Sequence, residues 1–171
     1  MKALCAVPFL LFAQSAAAGS FVAPEGCTTY LTVQSRGCYV ANYYSCQADA
    51  NGDQWRADYD QDGVFYLSKI DRETQWVESY DMNPQVKQTL DPNPADPANF
   101  TSLLATGRDD FEFGLSKDNG EQTLVKGFDK LTGVTATIDG VTLQVTEYEF
   151  VESDTAGNEL RKSRGHEYVS P

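Results

Sequence analysis

Val134-Thr135-Ala136-Thr137-Ile138-Asp139-Gly140-Val141-Thr142-Leu143-Gln144-Val145 reads as two short strands around a two-residue turn. Asp-Gly suits the positive φ angles of a type I′ turn, whose twist matches that of the strands it joins. Pairing Ile138 with Val141 puts Val134, Ala136, Ile138, Val141, Leu143 and Val145 on one face, and Thr135, Thr137, Thr142 and Gln144 on the other. A slip of one residue would mix the faces, so turn chemistry and polarity select one register. The pattern predicts an antiparallel hairpin with its apolar face on a core.

Beyond Val145 the pattern changes phase: Glu147 and Glu149 take the apolar parity, Tyr148 and Phe150 the polar one. A bulge or bend near Thr146 reconciles the halves, as in sheets that curl into barrels. Upstream, Phe111 to Ser116 and Gln122 to Phe128 form a second hairpin. Pairing across Asn119 and Gly120 sets Phe111, Phe113 and Leu115 beside Leu124 and Phe128, with Lys126 intruding and Gly114 and Gly127 on the opposite face.

A third hairpin joins Asp53 to Asp60 with Val64 to Ile70, in one of two registers. A two-residue Asp62-Gly63 turn sets Trp55, Ala57 and Tyr59 beside Ile70, Ser68 and Tyr66. A three-residue loop, Gln61 to Gly63, sets them beside Lys69, Leu67 and Phe65, and is preferred because Asp58 and Asp60 then share a more polar face. Gln75 to Tyr80, carrying Trp76, extends the meander.

Asn83 to Ala98 contains Pro84, Pro92, Pro94 and Pro97 and reads as loop, since proline donates no ladder hydrogen bond. Asp96 suits an N-cap, Pro97 the first helical position and Gly107 the stop, predicting a helix over about 97–106 that plugs one end of the sheet. The fold class is therefore mainly β: an antiparallel meander forming a curved sheet, half-barrel or partly closed barrel with one short helix.

The first eighteen residues have the form of a secretory signal: Lys2, an apolar run from Ala3 to Ala13, then Ala16-Ala17-Ala18-Gly19 as a cleavage site. That run is shorter than the roughly 20 residues of a membrane span, and no second one follows, so no transmembrane segment is expected. Cleavage after Ala18 leaves residues 19–171, read as a single β-rich domain exported to the periplasm or the extracellular medium. Without Lys2, 12 basic residues face 25 acidic ones, a formal charge of about -13. Such a surface favours solubility and excludes nucleic acid as a partner. Arg161, Lys162, Arg164 and His166 reverse the sign locally and read as a solvated face.

Three cysteines follow the signal, in a compartment that permits disulfides. If Thr28 to Gln34 and Tyr39 to Ser45 are strands joined around Ser35, Arg36 and Gly37, Cys27 and Cys46 fall opposite each other. Cys38 then lies by the turn, several ~3.3 Å steps from either. The expected disulfide is Cys27 to Cys46, with Cys38 free.

Catalytic and metal signatures are missing. Asp58-Tyr59-Asp60-Gln61-Asp62-Gly63 opens like an EF-hand loop, but Lys69 stands where that loop needs a bidentate acid, and strands replace its helices. His166 is the only histidine, and no Cys-x-x-Cys, phosphate loop or nucleophile elbow occurs. No catalytic residue, metal or cofactor is assigned. Asn99-Phe100-Thr101 is a glycosylation sequon, expected to be unmodified in a chain with the character of a bacterial exported protein.

In architecture, Trp55 to Val151 resembles the half-barrel of the periplasmic lipoprotein carriers of the LolA type, or a lipocalin, in strand pattern alone. The resemblance implies a concave face holding an apolar small molecule or lipid. Its wall would draw on Trp55, Tyr59, Phe65, Trp76, Phe111, Phe113 and Phe128, residues whose more ordinary role is to fill a core. The expected role is non-catalytic binding of a hydrophobic ligand or an envelope protein. The alternative is a small secreted enzyme or thiol-redox protein using Cys38 or an acidic pair. An apolar cavity above about 300 Å³ with aromatic walls would mark the ligand-binding form.

Overall fold

The computed structural model describes residues 21–49 and 52–170; the signal-peptide expectation lies outside them. Ten strands and one helix follow in order: β1 (Cys27–Ser35), β2 (Tyr39–Cys46), β3 (Gln54–Asp60), β4 (Gly63–Ile70), β5 (Trp76–Met82), β6 (Gln85–Leu90), α1 (Phe100–Thr106), β7 (Arg108–Lys117), β8 (Gln122–Ile138), β9 (Val141–Asp154) and β10 (Glu159–Val169). Each strand pairs antiparallel with its neighbour in sequence, giving one sheet ordered β1 to β10 that curls into a half-barrel.

The Asp139-Gly140 hairpin has the expected register, with Ile138 opposite Val141 and Ala136 opposite Leu143, and both turn residues have positive φ (49° and 82°). Its apolar face, however, is open to solvent: Val134, Ile138 and Val141 are 59%, 44% and 53% exposed. The reason is strand length. β7 pairs with β8 only as far as Lys130, and β10 pairs with β9 only as far as Gln144, so the hairpin tip outruns both neighbours. The bend lies opposite Thr146 rather than on it: Leu131 faces Thr146 and Thr135 faces Gln144, so the additional residues belong to β8, with Gly133 at φ 77°.

The β7–β8 register differs from expectation by one residue. Phe113 faces Val125, Leu115 faces Thr123 and Phe111 faces Gly127, while Leu124, Lys126 and Phe128 take the outer face. The cause is a three-residue loop, Asp118 to Gly120. Lys117 and Glu121 close it through the Lys117 N–H to the Glu121 carbonyl, and Gly120 sits at φ 91°. At β3–β4, Trp55 faces Lys69 and Ala57 faces Leu67, as preferred, but a bulge after Asp58 brings Tyr59 to Val64 instead of Phe65.

Two expectations about residues 83–106 are corrected. Gln85–Leu90 is strand β6, not loop, because the prolines at 84, 92, 94 and 97 bracket six proline-free residues that pair with β5. The helix starts at Phe100, not 97. Asp96 is held as a bridge to Glu112 by two backbone hydrogen bonds (2.9 and 2.7 Å), and Asn99 caps instead, its side-chain oxygen accepting from the Ser102 N–H at 2.7 Å. Gly107 ends the helix at φ 84°, as its position predicted.

Cys27 and Cys46 are directly opposite on β1 and β2 and form the expected disulfide. Cys38 is free and exposed in the turn. The core lies on the inner face of β7–β9, where Phe111, Phe113, Leu115, Val125 and Phe150 are buried with Ala98, and Trp76, Leu90 and Tyr148 pack around them.

Candidate functional site

The seven aromatic residues singled out in the sequence fall into separate groups. Trp76, Phe111 and Phe113 come together, with Trp76 5.7 Å from Phe113 and 5.3 Å from Phe150, ring centre to ring centre. Sequence parity had placed Tyr148 and Phe150 with the polar residues; the phase change at the bend was the signal that they turn inward. This group fills the β7–β9 side of the curl. Its rim is covered by Arg161, whose guanidinium sits 4.9 Å from the Phe150 ring centre and pairs with Glu152 at 3.2 Å.

Trp55 and Tyr59 lie on the opposite face. Trp55 stacks on Tyr44 at 6.2 Å, donates its indole N–H to Asp49 at 2.6 Å and carries Lys69 over its ring; Phe21 packs against Tyr59. Phe65 pairs with Tyr39. Phe128 also faces outward, under the Arg108 guanidinium at 4.0 Å. No single wall contains all seven.

Two open pockets adjoin at the β7–β8 turn and share Glu121. One, of about 410 Å³, lies between that turn and Asp154, Thr155 and Leu160. The other, of about 520 Å³, is lined by Phe65, Asp81, Pro84, Val86 and Lys117. Both exceed 300 Å³, yet their linings mix charged and apolar groups, and Phe65 is the one aromatic among them.

The inner face near β2 and β3 is polar. Arg56 makes a bidentate pair with buried Asp58 (2.7 and 2.6 Å) beside the Tyr43 ring. Burial opposes the Arg56 charge, but the bonds to Asp58 prevail and raise its pKa. Asp109 and Asp129 are direct cross-strand partners. Burial pushes Asp129 up to about 7, with the charges of Glu167 and Asp109 adding to it. Burial raises Asp109 as well, opposed by the Asn99 N–H that it accepts at 2.8 Å. Burial raises the Glu167 pKa too, opposed by the Arg56 charge. Asp129 is thus the member of the pair whose carboxyl keeps its proton through weakly acidic pH.

Neither His166 nor Cys38 stands with that acidic pair. His166 is on exposed β10 opposite Glu147, and the Cys38 thiol makes no hydrogen bond among the described residues. Nor, among those residues, do three or more His, Cys, Asp or Glu side chains gather to hold a metal ion. No described helix is long and apolar enough to cross a membrane.

The two edge strands differ in chemistry. β10 carries Glu159, Arg161, Lys162, Arg164, His166 and Glu167. β1, Cys-Thr-Thr-Tyr-Leu-Thr-Val-Gln-Ser, has no charged residue and no proline. Tyr30, Leu31 and Val33 are 49%, 47% and 38% exposed along it. Among the described residues no strand pairs with its outer side. No family model matches this chain, and no curated protein or solved structure matches it.

Proposed function

We propose that this chain is an exported, non-catalytic binding domain of the periplasm or extracellular medium, whose partner is another protein. The observation that carries the reading is where open apolar surface lies. The β7–β9 side of the curl is filled by Phe111, Phe113, Val125 and Phe150, while large apolar side chains face solvent on β1 and on the β8–β9 tip. Ile138 and Val141 pair directly on the tip, and Leu31 and Val33 share one face of β1; apolar side chains gathered in this way mark association more often than a free monomer surface. The signal-like leader and the disulfide support export.

A photoreactive residue placed in the native host at Tyr30 or Val134 is expected to capture a polypeptide. The same residue at Leu124, exposed on the outer face of β8, is the control and captures none. Native mass spectrometry showing a lipid or other apolar small molecule as the sole bound species would sink the proposal.

A further inference from the structure

We infer that β1 is a docking edge for an extended segment of a partner polypeptide, which adds to the sheet as an eleventh strand. The inference rests on the protein-binding reading and specifies its mode. An edge strand presents a row of unpaired backbone N–H and C=O groups, and natural sheets guard such rows with charges, proline or short strands. β10 follows that rule with six charged or titratable side chains, whereas β1, nine residues long, has neither charge nor proline and is interrupted only by a bulge at Tyr30, which leaves Leu31 to Ser35 as a regular edge. The disulfide staples the start of β1 to β2 at Cys27 and Cys46, so the edge is held in strand conformation before anything docks.

Side chains define the occupant further. Leu31 and Val33 face Tyr43 and Ala41 across β2 and so lie on the inner face, and Tyr30 joins them there, its hydroxyl donating to Gln54 at 2.6 Å. Thr32 points the other way and donates to Asn42 at 2.9 Å. An added strand therefore meets an apolar row on one face and a hydroxyl-rich row on the other. Alternating apolar and small polar residues match both, because cross-strand neighbours on one face pair directly. The chain's net charge of -12 favours a segment with basic flanks. Only another extended backbone can satisfy a ladder edge, so neither lipid nor a small molecule substitutes.

The probe is a capped peptide of alternating valine and threonine with a lysine at each end, tested against the mature chain by amide hydrogen exchange. Protection is expected across residues 28–34 and not across β10. Methylating alternate peptide nitrogens should abolish it, and Leu31→Lys with Val33→Lys should weaken it about tenfold or more. Protection on β10 or the tip, indifference to N-methylation, or no protection at millimolar peptide would each overturn strand addition. So would β1 protection that rises with protein concentration alone, which would assign the edge to a second copy. If these fail while the Val134 crosslink still captures a polypeptide, protein binding stands and this mode of it falls.

Discussion

Gly127 faces Phe111 directly across β7 and β8, and the Phe111 ring occupies the space a side chain at 127 would need. A Cβ there would stand 2.8 Å from Phe111 Cζ and 2.7 Å from Phe150 Cβ, and would collide with the Glu149 carbonyl. Gly127→Ala is therefore an overpacking substitution in a backbone-lined slot that cannot open by rotating a side chain. A loss of about 3 kcal/mol is expected, seen as a lower urea midpoint. An unchanged midpoint would mean that β9 moves freely away from β8.

The disulfide closes a 19-residue separation at the sheet edge. Replacing both Cys27 and Cys46 with serine should cost about 3 kcal/mol by freeing the unfolded chain. The loss should be uneven: hydrogen exchange should accelerate most on β1, and least at Val125 in the core. Uniform acceleration would show that the bridge stabilises the whole sheet cooperatively.

Asp129 carries a folded pKa of about 7 against an ordinary 3.8, so ionising it opposes folding. The contribution of Asp129 should be most favourable below the ordinary carboxylate range, fall as pH rises from about 4 through about 7, and stay reduced above. At about 1.4 kcal/mol per pKa unit, and allowing for partial water access, the penalty is on the order of 2 to 4 kcal/mol. Asp129→Asn should remove it, raising stability at pH 8 and flattening the profile between pH 4 and 7. Parallel profiles for the two proteins would contradict this.

Glu73, in the loop before β5, caps α1 from outside the helix. Its carboxylate accepts the Thr101 N–H at 2.8 Å and the Thr101 hydroxyl at 3.0 Å, which holds its pKa below the ordinary value. Its contribution is therefore present above the unfolded carboxylate pKa and disappears as pH falls through the lower folded value. Glu73→Gln should cost about 1 kcal/mol at pH 7, the usual scale of a lost cap, and that cost should vanish in strong acid. Thermal unfolding at pH 7 and pH 2.5 checks both halves.

Local chemistry made much of this fold legible. Asp139-Gly140 specified its turn and register, and the spacing of Cys27, Cys38 and Cys46 within one hairpin specified the disulfide. Misreadings came where a long-range fact decides. Nothing near Val134 reveals that β7 and β10 stop short of it, so a correct register led to the wrong burial. One extra loop residue at Asp118 reversed the facing of Leu124 and Phe128. The proline count of residues 83–98 masked β6, because prolines that bracket a strand look like prolines that interrupt one. The aromatic set misled for a related reason: Trp55 and Trp76 both fit a core, and only the curl decides which face encloses it. The polar contents of that curl, Arg56 with Asp58 and Asp109 opposite Asp129, depend on strands far apart in sequence and carry no motif.

Strict pairing in chain order also has a kinetic meaning. Each strand needs only its immediate predecessor to form its ladder, so loop-closure entropy is met in small steps and folding can run as a zipper from either end. The disulfide is complete within the first hairpin and can form while every later strand is still unstructured. The aromatic core is different: Trp76 belongs to β5 and Phe150 to β9, so tight packing must await nearly the whole chain. An oxidised first hairpin ahead of an unpacked remainder is thus the partly folded species this topology favours.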